Sequence, residues 1–244
     1  MLASGGRALK CYINSMETQT LRSFRDSKIL NKTLRFLRPI VHSSRDRTRV
    51  KKIDSDITKL LPGLAKENFV ESSAVVDLGA NRGDFTIWSL RKGASVICFE
   101  PHPVAFQYLS KRTAGLKGVH RIQAAVSSSS SFTPLFVHPD AVSDQLGYSI
   151  RSSIKQEKVG FVPYERILAL SFEEIVECLP KITVLKVDIE GSEKEIWPQI
   201  KSNYKKIKYL LMEVHDQINP SLRSEIEGFI KVKRLEKLWT ADWV

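Results

Sequence analysis

From Asp54 onward, short runs of β-branched and apolar residues alternate with segments of helical period, the pattern of a mostly parallel sheet with helices on both faces. The periodicity predicts a helix over Ile57–Asn68, a strand over Ala74–Leu78 and a helix over Asp84–Lys92 that Gly93 closes. A strand over Ser95–Glu100, a helix over Pro103–Arg112 and a strand near Val119–Val126 follow. The next forty residues are Ser-rich and low in helical period, so they read as an irregular excursion with one strand at Thr133–Val137. "SFEE", Ser171 to Glu174, has the form of a capping box opening a short helix. "ITVLKVD", Ile182 to Asp188, is almost continuously apolar, as expected of a strand covered on both faces. "SEKE" at Ser192–Glu195 opens a helix that Pro198 is expected to interrupt. "YLLMEV" at Tyr209–Val214 is the next buried strand, followed by a helix at Ser221–Ile230 and a last strand within Val232–Trp239.

The segment before this pattern differs. Between Thr20 and Val41, Leu30, Leu34, Leu37 and Val41 recur at helical spacing among basic residues, which predicts a basic amphipathic helix. Such a helix packs its stripe on the domain or a partner subunit, or meets a membrane surface or a polyanion. "HSSRDRTRVKK", His42 to Lys52, reads as a solvated linker. The expected division is therefore a basic arm over residues 1–52 and one catalytic domain over residues 53–244.

Charge sharpens that division. The formal net charge is +11, yet residues 1–52 hold 13 Lys or Arg against three acids, so the remainder is close to neutral. The excess describes the arm rather than the substrate of the domain. Cys11, Cys98 and Cys178 form no CxxC pair or zinc spacing, which favours a reducing, cytoplasmic setting, with Cys98 packed as a small hydrophobe. No run approaches the ~18 apolar residues of a membrane span. The first sixteen residues, basic and free of acids, weakly resemble an organelle transit peptide.

The candidate chemistry begins after the first strand, in "DLGANRG", Asp77 to Gly83. A dinucleotide loop has a second glycine where this one has none, and Asp77 would repel a phosphate. A ligand with an ammonium and a neutral ribose suits it better, which points to S-adenosylmethionine. Asp77 then serves the ammonium, directly or through water, while Gly79, Ala80, Asn81 and Gly83 bring the backbone close. Glu100 follows Asp77 by 23 residues, near the ~20 expected for an acid that takes ribose hydroxyls at the end of the second strand. Pro101, His102 and Ala125 are placed to flank the adenine, although a surface role for His102 explains it as well.

"VVDLGANRGDFT", "CFEPHP", "VLKVDIEGSE" and "MEVH" together resemble the FkbM family of S-adenosylmethionine-dependent methyltransferases, over about residues 70–216. The resemblance implies a class I methyltransferase fold and methyl transfer to a hydroxyl oxygen of a sugar, glycan or other natural product. The chain departs from the family in its N-terminal arm, in Lys111-Arg112 where an Asn is common, and in a short stretch after Val232 that puts the seventh strand in doubt.

An alcohol acceptor must lose a proton, which calls for a base or a metal. Asp188 with Glu190, and Glu213 with His215, leave two central strands two residues apart and so share a face. His215 is the expected general base, with Asp188 or Glu213 orienting it or the acceptor. In a second version Asp188, Glu213 and His215 hold a divalent cation, Mg or Mn. Glu190 and Glu193 otherwise cap the following helix, and Lys186 pairs with a carboxylate. Asp216 lies beside His215, and Tyr148, Arg151, Lys155, Lys158 and Tyr164 are candidates for the acceptor wall. Rival readings are an RNA or other nucleic-acid methyltransferase that uses the arm, or a non-catalytic S-adenosylmethionine-binding protein. The nucleic-acid reading predicts salt-dependent binding that disappears when residues 1–52 are removed.

Overall fold

The computed structural model describes residues 44–137, 152–154, 161–215, 221–233 and 238–239. The expected arm helix, Tyr148, Arg151, Lys155, Lys158 and Asp216 lie outside them.

The first described element is a helix, α1 (Ser44–Leu60), followed by the short α2 (Pro62–Ala65). The linker expected over residues 42–52 is thus corrected from Ser44 on. Val50, Ile53, Ile57 and Leu61 fall at helical spacing and are buried in the core. Five basic residues among residues 44–52 mask this stripe, and the 52/53 boundary falls inside one helix. Removing residues 1–52 therefore also takes Val50 from the core.

The main sheet holds β1 (Ala74–Leu78), β2 (Ser95–Phe99), β3 (Val119–Ile122), β8 (Ile182–Val187), β9 (Ile207–Met212) and β10 (Leu238–Trp239). Their spatial order is β10-β9-β8-β1-β2-β3, and every pairing is parallel. The chain winds outward from β1 through β2 to β3, then returns to β8 on the other side of β1. The order reverses at the β1/β8 seam, where open α/β sheets form a crevice at the strand ends.

Alternation along the strands sorts the two faces. Val75, Val96, Val184, Tyr209 and Leu211 face α1, α2, α3 (Asp84–Lys92) and α4 (Pro103–Arg112). Val76, Leu78, Phe99, Leu185, Val187 and Met212 face α5 (Phe172–Glu177), α6 (Glu193–Ser202) and α7 (Leu222–Lys233). Both faces are covered, as the apolar runs require.

Several expectations are corrected in detail. The strand expected near Val119–Val126 is two: β3 stays in the main sheet, while β4 (Ala125–Ser127) pairs with β7 (Val162–Ser171). β7 joins β5 (Ser131–Val137) and β6 (Ser152–Ser153) in a second sheet, so part of the supposed excursion is regular. Tyr164, Glu165 and Arg166 of β7 stay exposed, which hid the strand from a hydrophobic reading. Ser171 occupies the N-cap of α5, yet its hydroxyl donates to Ser128 O and Glu174 accepts from Ser130, so no capping box forms. Helix α6 runs through Pro198 without a break. The last strand, β10, is parallel to β9, and no antiparallel seventh strand occurs in the main sheet among the described residues.

At the seam the chain permits no side chain. A Cβ on Gly79 would lie 1.7 Å from Asp188 O, at φ +74°. Gly115 has the same φ but open space around it. Gly115→Ala should thus cost only the left-handed backbone penalty, about 1–2 kcal/mol. Gly79→Ala adds a backbone collision and should cost several kcal/mol more, or prevent folding. Denaturant unfolding of the two variants checks this; equal losses would show that the close approach is unimportant.

Candidate active site

Asp77 and Lys186 are register partners across the β1/β8 seam. Both side chains turn to the face covered by α3, because Val75 and Val184, two residues earlier, already do. Asp77 is fully buried, accepting from Thr86 Oγ1 at 2.6 Å and facing Lys186 Nζ at 3.4 Å. Lys186 Nζ also donates to Gly79 O at 2.6 Å and pairs with Asp188 at 3.2 Å. Burial opposes its charge, but Asp188 and Asp77 prevail and hold its pKa above that of an ordinary lysine. The expectation that Lys186 pairs with a carboxylate holds.

A cleft with about 540 Å³ of open space lies beyond this seam. Its walls include Gly79, Asn81, Glu100, Pro101, Ala125 and Asp188, joined by Phe99, Ala124, Val126, Ser152–Ile154, Ile189 and Glu190. Glu100 is buried, with Oε2 accepting from Asn81 N at 2.6 Å and Oε1 from His102 N at 2.8 Å. Burial pushes its pKa up to about 7 against those two bonds. Asn81 reaches the carboxylate from a left-handed turn, φ 47°.

The remaining loop residues depart from their expected places. Asp77 does not line the cleft, because strand alternation turns its carboxylate under α3, so direct contact with a ligand ammonium does not fit this geometry. Gly79 makes room for Asp188 O rather than only for a ligand. Gly83 makes room for Leu109, whose Cδ1 would lie 2.4 Å from an added Cβ, and it does not line the cleft. Ala80 is buried and donates its N–H to Phe99 O. His102 is neither on the surface nor on the cleft wall. Its Nδ1 caps α4 by accepting from Val104 N, and its ring stacks on Tyr164 at 5.8 Å.

At the β8 and β9 side of the cleft stands an acidic group. Asp188, Glu213 and His215 each present an atom within 4.8 Å of the others. His215 Nδ1 lies 3.0 Å from Glu193 Oε1, and Nε2 lies 3.3 Å from Glu190 Oε2 and 3.9 Å from Glu213 Oε1. The sequence placed Asp188 and Glu190 on one face to meet Glu213 and His215, with capping as the other reading of Glu190, but it gave Glu193 only a capping role. The two-residue offsets along "DIE" and "EVH" reveal Glu190, whereas Glu193 comes from the next helix and leaves no periodic signal.

Four carboxylates, Asp188, Glu190, Glu193 and Glu213, here face two cationic side chains, Lys186 and His215. Burial raises the pKa of Asp188, with Lys186 opposing and Glu190 adding to the rise. Burial and the charge of Asp188 push Glu213 up to about 8. Burial works against a charged His215, but hydrogen bonds to Glu190 and Glu193 override it and push the ring up to about 10. The ring therefore holds its proton near neutrality, unlike a free general base.

Residues 77–233 match the model of the family described as Methyltransferase FkbM domain. The chain is 25% identical over 199 residues to Methyltransferase sdnD of Sordaria araneosa, covering 68% of this chain and 74% of that one. It is 27% identical over 191 residues to Hexuronic acid methyltransferase AglP of Haloferax volcanii, covering 75% and 73%. Methyltransferase FkbM from Methylobacillus flagellatus KT, a solved structure, aligns with a TM-score of 0.46 at 16% identity. That alignment covers 72% of this chain and spans 41% of the solved one.

The raised groups set a pH dependence. Glu213 binds its proton more tightly folded, at about 8, than at its ordinary 4.5, and His215 does so at about 10 against 6.5. Their stabilisation is complete at low pH and is lost as pH rises, over about 4.5–8 for Glu213 and 6.5–10 for His215. Glu100, raised to about 7, acts with the same sign. In divalent-free buffer Tm should fall as pH rises from about 6 to 9, and Glu213→Gln should flatten the lower part of that fall. A Tm that rises over this range would contradict the assignment.

Proposed function

The chain belongs to the FkbM methyltransferase family and is a methyltransferase, and from that premise we propose S-adenosylmethionine as its donor and a hydroxyl of a sugar or related natural product as its acceptor. The observation that carries the donor is the wall of the cleft. Among the described residues it includes Glu100, Asp188 and Glu190 and no Lys or Arg. Such a wall suits a cationic ligand without phosphate, and opposes a dinucleotide.

S-adenosylmethionine, when bound, supplies a methyl group on a positively charged sulfur. Glu100, already fixed by two backbone N–H groups, offers its remaining lone pairs to ribose hydroxyls. Pro101 and Ala124–Val126 supply apolar wall for a flat base. Asp188 and Glu190 face the positively charged part of the ligand in place of Asp77, which instead anchors Lys186.

Asp188, Glu213 and His215 are proposed to hold a divalent cation, Mg or Mn. Support comes from their geometry, since each offers an atom within 4.8 Å of the others, and from carboxylates whose burial and crowding favour added positive charge; a cation there would displace the Nε2 proton of His215. A bound cation supplies the charge that makes a hydroxyl easier to deprotonate. Glu190, on the cleft wall beside His215, stands ready to take that proton. Support for a sugar-type acceptor comes from the hexuronic acid methyltransferase relative.

Calorimetry tests the donor: S-adenosylmethionine should bind and NAD should not, and Glu100→Ala should weaken binding by about 10-fold or more. No binding by S-adenosylmethionine removes the proposal. A methyl-label screen over uronic acids, neutral sugars and RNA tests the acceptor. EDTA should abolish transfer, Mg or Mn should restore it, and Asp188→Asn should lose it in both conditions; transfer indifferent to EDTA rejects the cation.

A further inference from the structure

Glu193 is fully buried at the start of α6, where an ionised carboxylate is costly unless it is well bonded. Its Oε1 accepts from Ile189 N at 3.2 Å and from Gly191 N at 3.1 Å, and its Oε2 accepts from Gly191 N at 2.9 Å. The turn that aims these N–H groups inward is left-handed at Glu190, φ 56°, and at Gly191, φ 110°. A non-glycine residue in that conformation is uncommon and is sustained only when its surroundings fix it. Part of the fixing comes from Ser153, which donates to Glu190 O at 2.7 Å.

That arrangement exceeds what the start of a helix needs. The fourth contact of Glu193 leaves its own segment and reaches His215 Nδ1, 3.0 Å away and 22 residues later. His215 follows β9 on a stretch without regular structure, so the strand alone does not set its ring. The buried carboxylate beside Nδ1 holds a proton there, so the Nε2 proton, which faces Glu190 and Glu213, is the one that a cation would displace.

We propose that Glu193 is the positioning residue of this site: it keeps the proton on His215 Nδ1 and aims Nε2 at the Asp188–Glu213 group. A carboxylate behind a histidine ligand commonly sets the tautomer and orientation on which metal affinity depends. The role of Glu193 in cation binding rests on the cation proposed above, but its hold on the ring does not.

The test separates the two. In 15N-histidine-labelled, metal-free protein, His215 should show a slowly exchanging Nδ1–H proton, which Glu193→Gln and Glu193→Ala lose. Mn2+ affinity, measured by electron paramagnetic resonance, should drop about 10- to 100-fold in both variants. Methyl transfer should lose kcat while KM for S-adenosylmethionine stays level, and Glu193→Asp should recover part of both. A wild-type ring without a protected Nδ1–H overturns the proposal with no variant needed. Folded variants that keep wild-type Mn2+ affinity and the Nδ1–H signal overturn it too. If the wild type binds no Mn2+, the cation reading falls and the ring signal alone decides on Glu193.

Discussion

The site is organised around one largely enclosed ammonium. Lys186 sits where the strand order reverses, and its Nζ joins Asp77 of β1, the carbonyl of Gly79 and Asp188 of its own strand end. A lone charge in that position would be strongly disfavoured, and so would two unpaired carboxylates. Together they are compensated, and the bonds cross from one half of the sheet to the other. Gly79 completes the joint, since any side chain there would strike Asp188. The cleft and the acidic group thus share a joint whose geometry is fixed by charge on one side and steric contact on the other.

Much of this was legible in the sequence where periodicity or spacing speaks. The order of β1, α3, β2 and α4 follows from alternation and from Gly93, and the step from Asp77 to Glu100 located a residue that does line the cleft. The direction of a side chain at the end of a strand was harder. Asp77 looked like a ligand contact because it is an acid at a strand end, but the same alternation that buries Val75 carries it under α3. The second sheet escaped because β7 is half exposed and carries polar residues on both faces. The part of α1 before Ile57 escaped because its apolar positions are outnumbered by basic ones. Glu193 shows a further limit: contacts made through tertiary folding, here 22 residues apart, have no local signature.

Electrostatics gives the two ends of the cleft different characters. Around Glu100 the charge is satisfied by backbone N–H groups and the walls are apolar. Around Asp188 and Glu213 burial, together with neighbouring carboxylates that Lys186 and His215 only partly offset, raises the pKa values. A ligand whose flat, neutral part enters at one end and whose positive charge lies at the other matches this gradient. The net charge of +11, by contrast, divides into +6 over residues 1–43 and +5 over residues 44–244, and α1 carries most of the latter.

The bonds from Asn81 and His102 to Glu100 carry one more implication. They immobilise the carboxylate before any ligand arrives, so its rotamer entropy is given up during folding rather than during binding. Under the proposed donor site, affinity at that end of the cleft would be an inherited property of the folded loop. Drift that loosens the turn at Asn81 would then erode ligand recognition and thermal resistance together, so that selection on either one protects the other.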